Sequence, residues 1–173
     1  MNIAGTIRKS DLFFDLTQEQ AELIAGISVE RKVGLNELIF AEGSSGREVY
    51  IVAHGIVEVF HGGGQLGEIS GTSDADDERL VLATLMSGQS FGEIAFVDKA
   101  VREASVRSVS DDTVLLAINP EELMKRCDEN PAMGYHIVRN IARTLTLIIR
   151  EMDLHALGGA YWTQVVSSAK DEF

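Results

Sequence analysis

The chain is 173 residues long with 45% apolar and 24% charged residues, a globular composition large enough to bury a core of its own. Its formal net charge of −12 argues against a nucleic-acid surface, because such surfaces are built from clustered Lys and Arg. Cys127 is the only cysteine, which excludes an intrachain disulfide or a thiolate metal cluster. Residues 1–11 lack a signal-peptide core and no apolar run reaches membrane length, so the expectation is a cytoplasmic protein with no membrane partner.

In chain order, Thr17 with Gln20 has the form of a capping box and opens a helix through Leu23, Ile24 and Ile27. From Val29 the pattern changes to short β-rich runs around Val33, Leu38 to Phe40, Val49 to Val52 and Ile56 to Phe60. Gly34, Gly43, Gly46 and Gly55 punctuate these runs at the spacing expected of a sandwich or barrel. Gly55 between two runs predicts a tight hairpin. Residues 62–79 read as a mobile, glycine-rich and acidic surface loop. Strands resume over Leu80 to Leu85, Ala104 to Val109 and Thr113 to Ile118.

Asn119 is a candidate cap, with Pro120 suited to the first helical position and Glu121 and Glu122 to the positive end of the helix dipole. Asn130-Pro131 interrupts and restarts the helix. From Met133 to about Leu157 an apolar stripe follows, with Val138, Ile141, Leu145, Ile148 and Met152 three and four apart, as in a coiled-coil seam. Ile137 and Ile149 widen it. Packing on the chain's own barrel competes with dimerisation, and two adjacent stripes favour the latter. Gly158-Gly159 is expected to end this helix, leaving 158–173 as a short tail in which Tyr161, Trp162, Val165 and Val166 suit docking on the core or on a partner.

The chemistry concentrates between Leu85 and Val109. A glycine turn leads into Phe91-Gly92-Glu93, and Arg102 follows nine residues after Glu93, just before a strand. A carboxylate accepts from hydroxyls and a guanidinium takes two phosphate oxygens, so the stretch suits a small anion that also carries hydroxyls.

Phe91-Gly92-Glu93-Ile94-Ala95-Phe96 followed by Arg102-Glu103-Ala104-Ser105-Val106 resembles the phosphate-binding cassette of cyclic nucleotide-binding domains. Gly55-Ile56-Val57-Glu58-Val59 and Leu82 to Gly88 match that family's hairpin and its approach to the cassette. The resemblance covers roughly residues 11–155. It implies a mainly β fold, an eight-stranded double-sheet jelly-roll with an N-terminal helix and C-terminal helices, over a domain of residues 11–157. It further implies that Glu93 accepts the ribose 2′-hydroxyl and Arg102 pairs with the phosphate. The amides of Gly92 to Ala95, Glu103 and Ala104 would line that phosphate, with Phe91 and Ile94 in the same segment. Val59, Leu82 and Ala83 would wall the base.

Two departures stand out. Glu103 occupies a position where the family usually has a small or hydroxylic residue, and Val101 stands where proline is common. Glu103 either points outward or forms an internal ion pair with Arg102. The absence of a hydroxyl after Arg102 favours cAMP over cGMP. The resulting expectation is a stand-alone cyclic nucleotide sensor without catalytic residues or cofactor. It would signal through helix 133–157 to a second copy or to a client protein. Residues 158–173 are too few for a helix-turn-helix, so direct DNA binding is not expected. One alternative keeps the fold as a dimerisation or docking module that binds no nucleotide. A cupin-type enzyme is disfavoured because His54, His61, His136 and His155 are scattered and no metal ligand set is recognisable. The His61-Gly62-Gly63-Gly64 run lacks the serine elbow an esterase needs, and Asp74 to Glu78 lacks EF-hand spacing.

Overall fold

The computed structural model describes residues 1–62, 79–98 and 101–170. The acidic run 74–78 and most of the expected surface loop lie outside the described residues. Helices α1 (Ile3–Arg8) and α2 (Gln18–Ala25) open the chain. Strands β1 (Ser28–Val33), β2 (Leu38–Phe40), β3 (Val49–His54), β4 (Ile56–His61), β5 (Leu80–Met86) and β6 (Ser90–Phe91) follow. Helix α3 (Glu93–Asp98), strands β7 (Ser105–Ser108) and β8 (Thr113–Ile118), and helices α4 (Pro120–Glu129) and α5 (Pro131–Lys170) complete it.

The capping box forms as the sequence predicts. The Thr17 hydroxyl accepts from the Gln20 amide at 3.2 Å, and the Gln20 side chain accepts from the Thr17 amide at 3.0 Å. Asn119 likewise caps α4 by accepting from the Glu122 amide at 3.0 Å. Helix α1 had no expectation from the sequence: it carries a single buried side chain, Ile7, too little for a periodic signal.

All strand pairs are antiparallel, in two four-stranded sheets ordered β1-β8-β3-β6 and β2-β7-β4-β5. This is the double-sheet jelly-roll that the family resemblance implies, and a form of the sandwich or barrel expected from the strand spacing. Alternation sends Tyr50 and Val52 to one face of β3 and Val49 and Ile51 to the other. Tyr50 and Val52 join Val33, Ile39, Val57, Phe91, Val106 and Leu115 in a core drawn from both sheets. The opposite face, with Val49, Ile51, Leu116 and Ile118, is equally dry. Ile7, Phe13, Ile24, Leu123 and Met133 are fully buried side chains supplied by the flanking N- and C-terminal segments. Burying an aliphatic or aromatic side chain of this size contributes about 1.5–3 kcal/mol.

Gly55 makes the predicted hairpin. Its φ is +88°, and a Cβ there would lie 2.6 Å from both Ser110 Oγ and Thr113 Oγ1, so glycine is required on conformation and on space.

The chain divides into two compact units, Met1–Ile137 and Val138–Phe173. In the second unit the helix continues through Gly158-Gly159 to Lys170, correcting the expected stop. Glycine costs a helix interior about 1 kcal/mol relative to alanine but does not forbid the right-handed conformation, and no proline follows to enforce an end.

Candidate ligand-binding site

The segment singled out by the sequence becomes β6, a one-residue break at Gly92, the six-residue helix α3 and the lead into β7. Strand β6 is held to β3 through Tyr50↔Phe91 and Ile51↔Ser90. The turn before it is tied to the same strand, since the Gly88 amide donates to Val52 O at 2.9 Å and the Val52 amide to Gln89 O at 2.9 Å. Gly92 has φ +84°, and a Cβ there would lie 2.6 Å from Arg102 Nη1 and 2.8 Å from Glu48 O. The glycine of the motif is thus where the backbone passes directly against the arginine.

Arg102 is anchored twice. Its amide donates to Ser44 O at 2.9 Å and its carbonyl accepts from the Gly43 amide at 2.8 Å, which zips it to the loop after β2. Its side chain is 3% exposed; Nη1 donates to Gly92 O at 3.2 Å and Nη2 to Glu48 O at 2.7 Å. The guanidinium carbon sits 4.0 Å from the Phe40 ring centroid and 5.9 Å from that of Tyr50. Phe40, Tyr50 and Phe91 form one aromatic floor, with Tyr50 and Phe91 stacked at 5.1 Å.

The ion-pair partner of Arg102 is Glu48, whose Oε2 lies 3.6 Å from Nη2. The residue the sequence flagged, Glu103, is exposed and is not that partner. The outward arrangement of Glu103 is the one adopted.

Glu93 is 7% exposed and opens α3, so the amides of Glu93, Ile94 and Ala95 fall in a first helical turn, where amides have no intrahelical acceptor. Burial pushes the Glu93 carboxyl above its ordinary value of 4.5, and the nearby Asp11 adds to the rise. The carboxyl's contact with its own amide and the charge of Arg102 oppose it. Burial also lowers Arg102 from the ordinary arginine value, opposed by Tyr50, Glu48 and Glu93. Glu93 Oε2 and Arg102 Nε are both buried and have no hydrogen-bond partner in the protein.

The expected base-wall residues sit where β4 meets β5. Val59 pairs with Ala83 and packs on the core, and both are half-buried. Phe60 pairs with Val81, so Leu82 is the extra residue of a bulge and is 47% exposed. Ile94 is 36% exposed and Ala104 half-buried.

Sequence reasoning missed Glu48, Phe40 and Tyr50. Glu48 had no signal, being one acidic residue beside Arg47. Phe40 and Tyr50 read as ordinary strand residues, and only the packing of one sheet against the other brings both rings to Arg102. Among the described residues, no group of three or more metal-ligating side chains gathers, and no helix is long and apolar enough to cross a membrane.

Fold and strand order place the protein in the class of double-sheet jelly-roll domains with flanking helices. Residues 30–130 match the family described as "cyclic nucleotide-binding domain", and the chain belongs to that family. It is 32% identical over 150 residues to the cyclic AMP receptor protein of Thermus thermophilus, covering 86% of this chain and 63% of that protein. It is 30% identical to a cAMP-dependent protein kinase regulatory subunit of Pyricularia oryzae, over 65% of this chain and 28% of that one. The crystal structure of the Thermus thermophilus catabolite activator protein superimposes with a TM-score of 0.67 at 30% identity, covering 85% of this chain and 63% of that one. The chain therefore spans less than two thirds of the length of these relatives.

Proposed function

We propose that the segment Phe91 to Ala104 binds the sugar-phosphate of a cyclic nucleotide, with cAMP preferred to cGMP, and that the chain is a sensor without catalytic activity. The observation that carries this is the pair of buried, unpartnered polar atoms on Glu93 and Arg102. Leaving a buried donor or acceptor unsatisfied costs about 1–3 kcal/mol, so two in one segment suit a ligand that supplies both partners. A ribose hydroxyl donates to Glu93, and a phosphate oxygen accepts from Arg102 Nε. The first-turn amides of α3 and those of Glu103 and Ala104 take further phosphate oxygens. Val59, Leu82 and Ala83 face the base. The names of the relatives, a cyclic AMP receptor and a kinase regulatory subunit, support the same reading.

We further infer that α5 carries the signal to a second copy or to a client protein. Val138, Leu145 and Ile148 on its seam are 64%, 36% and 39% exposed, an apolar stripe that suits a partner surface. Sedimentation of the chain as a monomer with and without nucleotide would remove the homodimer form of this inference. The net charge of −12 speaks against DNA contact by these residues, and the relatives' regulatory roles support a cytoplasmic setting.

Calorimetric titration with cAMP and cGMP tests the site. The wild type is expected to bind cAMP more tightly, and Arg102→Ala to lose about 10- to 100-fold in affinity, the scale of a charge-assisted contact. No heat with either nucleotide would overturn the reading. One observation favours a second reading, a docking module that binds no nucleotide: Arg102 already donates to two carbonyls and faces Glu48. The same titration separates the two.

A further inference from the structure

The Glu48 carboxylate is not needed to hold Arg102 in place. Two main-chain carbonyls, Gly92 O and Glu48 O, fix both terminal nitrogens, and Phe40 lies under the guanidinium plane. At 3.6 Å the carboxylate contact is an ion pair beyond hydrogen-bond distance, and the Glu48 side chain remains 48% exposed. Gly46 leaves space for it: a Cβ at that position would lie 3.1 Å from Glu48 Oε2. The adjacent cation, Arg47, is turned to Glu121 at 3.3 Å and does not neutralise Glu48. Glu93 is the other carboxyl acting on Arg102, and burial drives it toward its neutral form. The guanidinium that would receive a phosphate thus already has one negative charge beside it.

We propose that Glu48 sets the charge selectivity of the site, competing with any phosphate for Arg102 and rejecting dianionic phosphomonoesters more strongly than a monoanionic cyclic phosphodiester. This rests on the reading of the Phe91–Ala104 segment as a cyclic-nucleotide site. A cyclic phosphodiester brings a single charge, whereas the phosphate of a 5′-nucleotide carries about −1.5 to −2 near pH 7. Repulsion from a fixed carboxylate grows in proportion to ligand charge, so removing that carboxylate helps the dianion more. Glu48 would in this way separate the cyclic nucleotide from its hydrolysed form at the phosphate itself.

Glu48→Gln and Glu48→Ala, in the full chain, are titrated with cAMP and with 5′-AMP beside the wild type, and thermal unfolding checks that both variants fold. The proposal expects cAMP affinity to rise by roughly 1.5- to 5-fold, the range for a partly screened charge. It expects 5′-AMP affinity to rise by a larger factor, so that the preference for cAMP shrinks. Weaker cAMP binding in both variants would make Glu48 a positioning residue for Arg102 and overturn the proposal. Equal gains for both ligands would overturn it as well. Wild type and variants that all fold and bind neither ligand would instead bring down the underlying cyclic-nucleotide reading.

Discussion

Glu93 and Arg102, two buried charged residues of the connection between β6 and β7, are buried to nearly the same extent but satisfied very differently. Arg102 has carbonyl acceptors on both terminal nitrogens, a carboxylate beside it and an aromatic ring beneath it. Glu93 has one oxygen with no partner, and its carboxyl is pushed upward chiefly by burial. The difference follows from where the backbone turns. At Gly92 and Glu48 the chain points carbonyls inward, which suits a cation, whereas Glu93 starts a buried helix turn with Asp11 as a second carboxylate acting on it. One end of the segment is prepared and restrained, and the other is costly to ionise until something donates to it.

The largest effect that would break this comparison is expected from Gly92→Ala. The new Cβ would sit 2.6 Å from Arg102 Nη1 with φ at +84°, so it strains the backbone and displaces the guanidinium together. Loss of about 1–3 kcal/mol in urea unfolding is expected, with nucleotide binding reduced in parallel. Unchanged stability would show that the turn relaxes without cost.

Glu93→Gln sharpens the other end. The folded state raises the pKa of Glu93 above 4.5, so it holds this proton more tightly than the unfolded chain. The stability linked to that proton is fully present below pH 4.5 and is lost as pH rises through the raised folded value. The variant should therefore gain in Tm on the wild type as pH rises above 4.5, while binding cAMP more weakly. A stability difference independent of pH would contradict the buried-acid account.

The smallest effect belongs to Glu103→Ser. Since Glu103 is exposed and Glu48 holds the ion-pair position, cAMP affinity should stay within about twofold, the scale of exposed-charge effects. A larger gain on calorimetry would show that Glu103, and not Glu48 alone, opposes the phosphate.

Much of the fold was legible before any coordinates. Capping chemistry is local, so Thr17 and Asn119 announce their helices in the sequence. Gly55 and Gly92 are equally legible, because a tight turn and a close approach leave few other residues possible. The spacing of β-rich runs indicated a sandwich or barrel, and the Phe91-to-Glu93 and Arg102 pattern picked out the segment in which Glu93 and Arg102 are both buried. The end of α5 was not legible, because two glycines lower helix stability without excluding it.

What the sequence by itself determined is the family, the strand and turn grammar, and the identities of Glu93 and Arg102. What tertiary structure alone decided is who stands beside them. Glu48 is 54 residues from Arg102 in the chain, and Phe40 comes from a different strand again. Such partners are set by sheet order and loop closure, which no local pattern encodes. For the same reason the carboxylate facing the arginine proved to be Glu48 and not its sequence neighbour Glu103. Arg102 is buried and tied by its backbone to the loop after β2, whereas Glu103 falls at the bend that leads into β7 and is exposed.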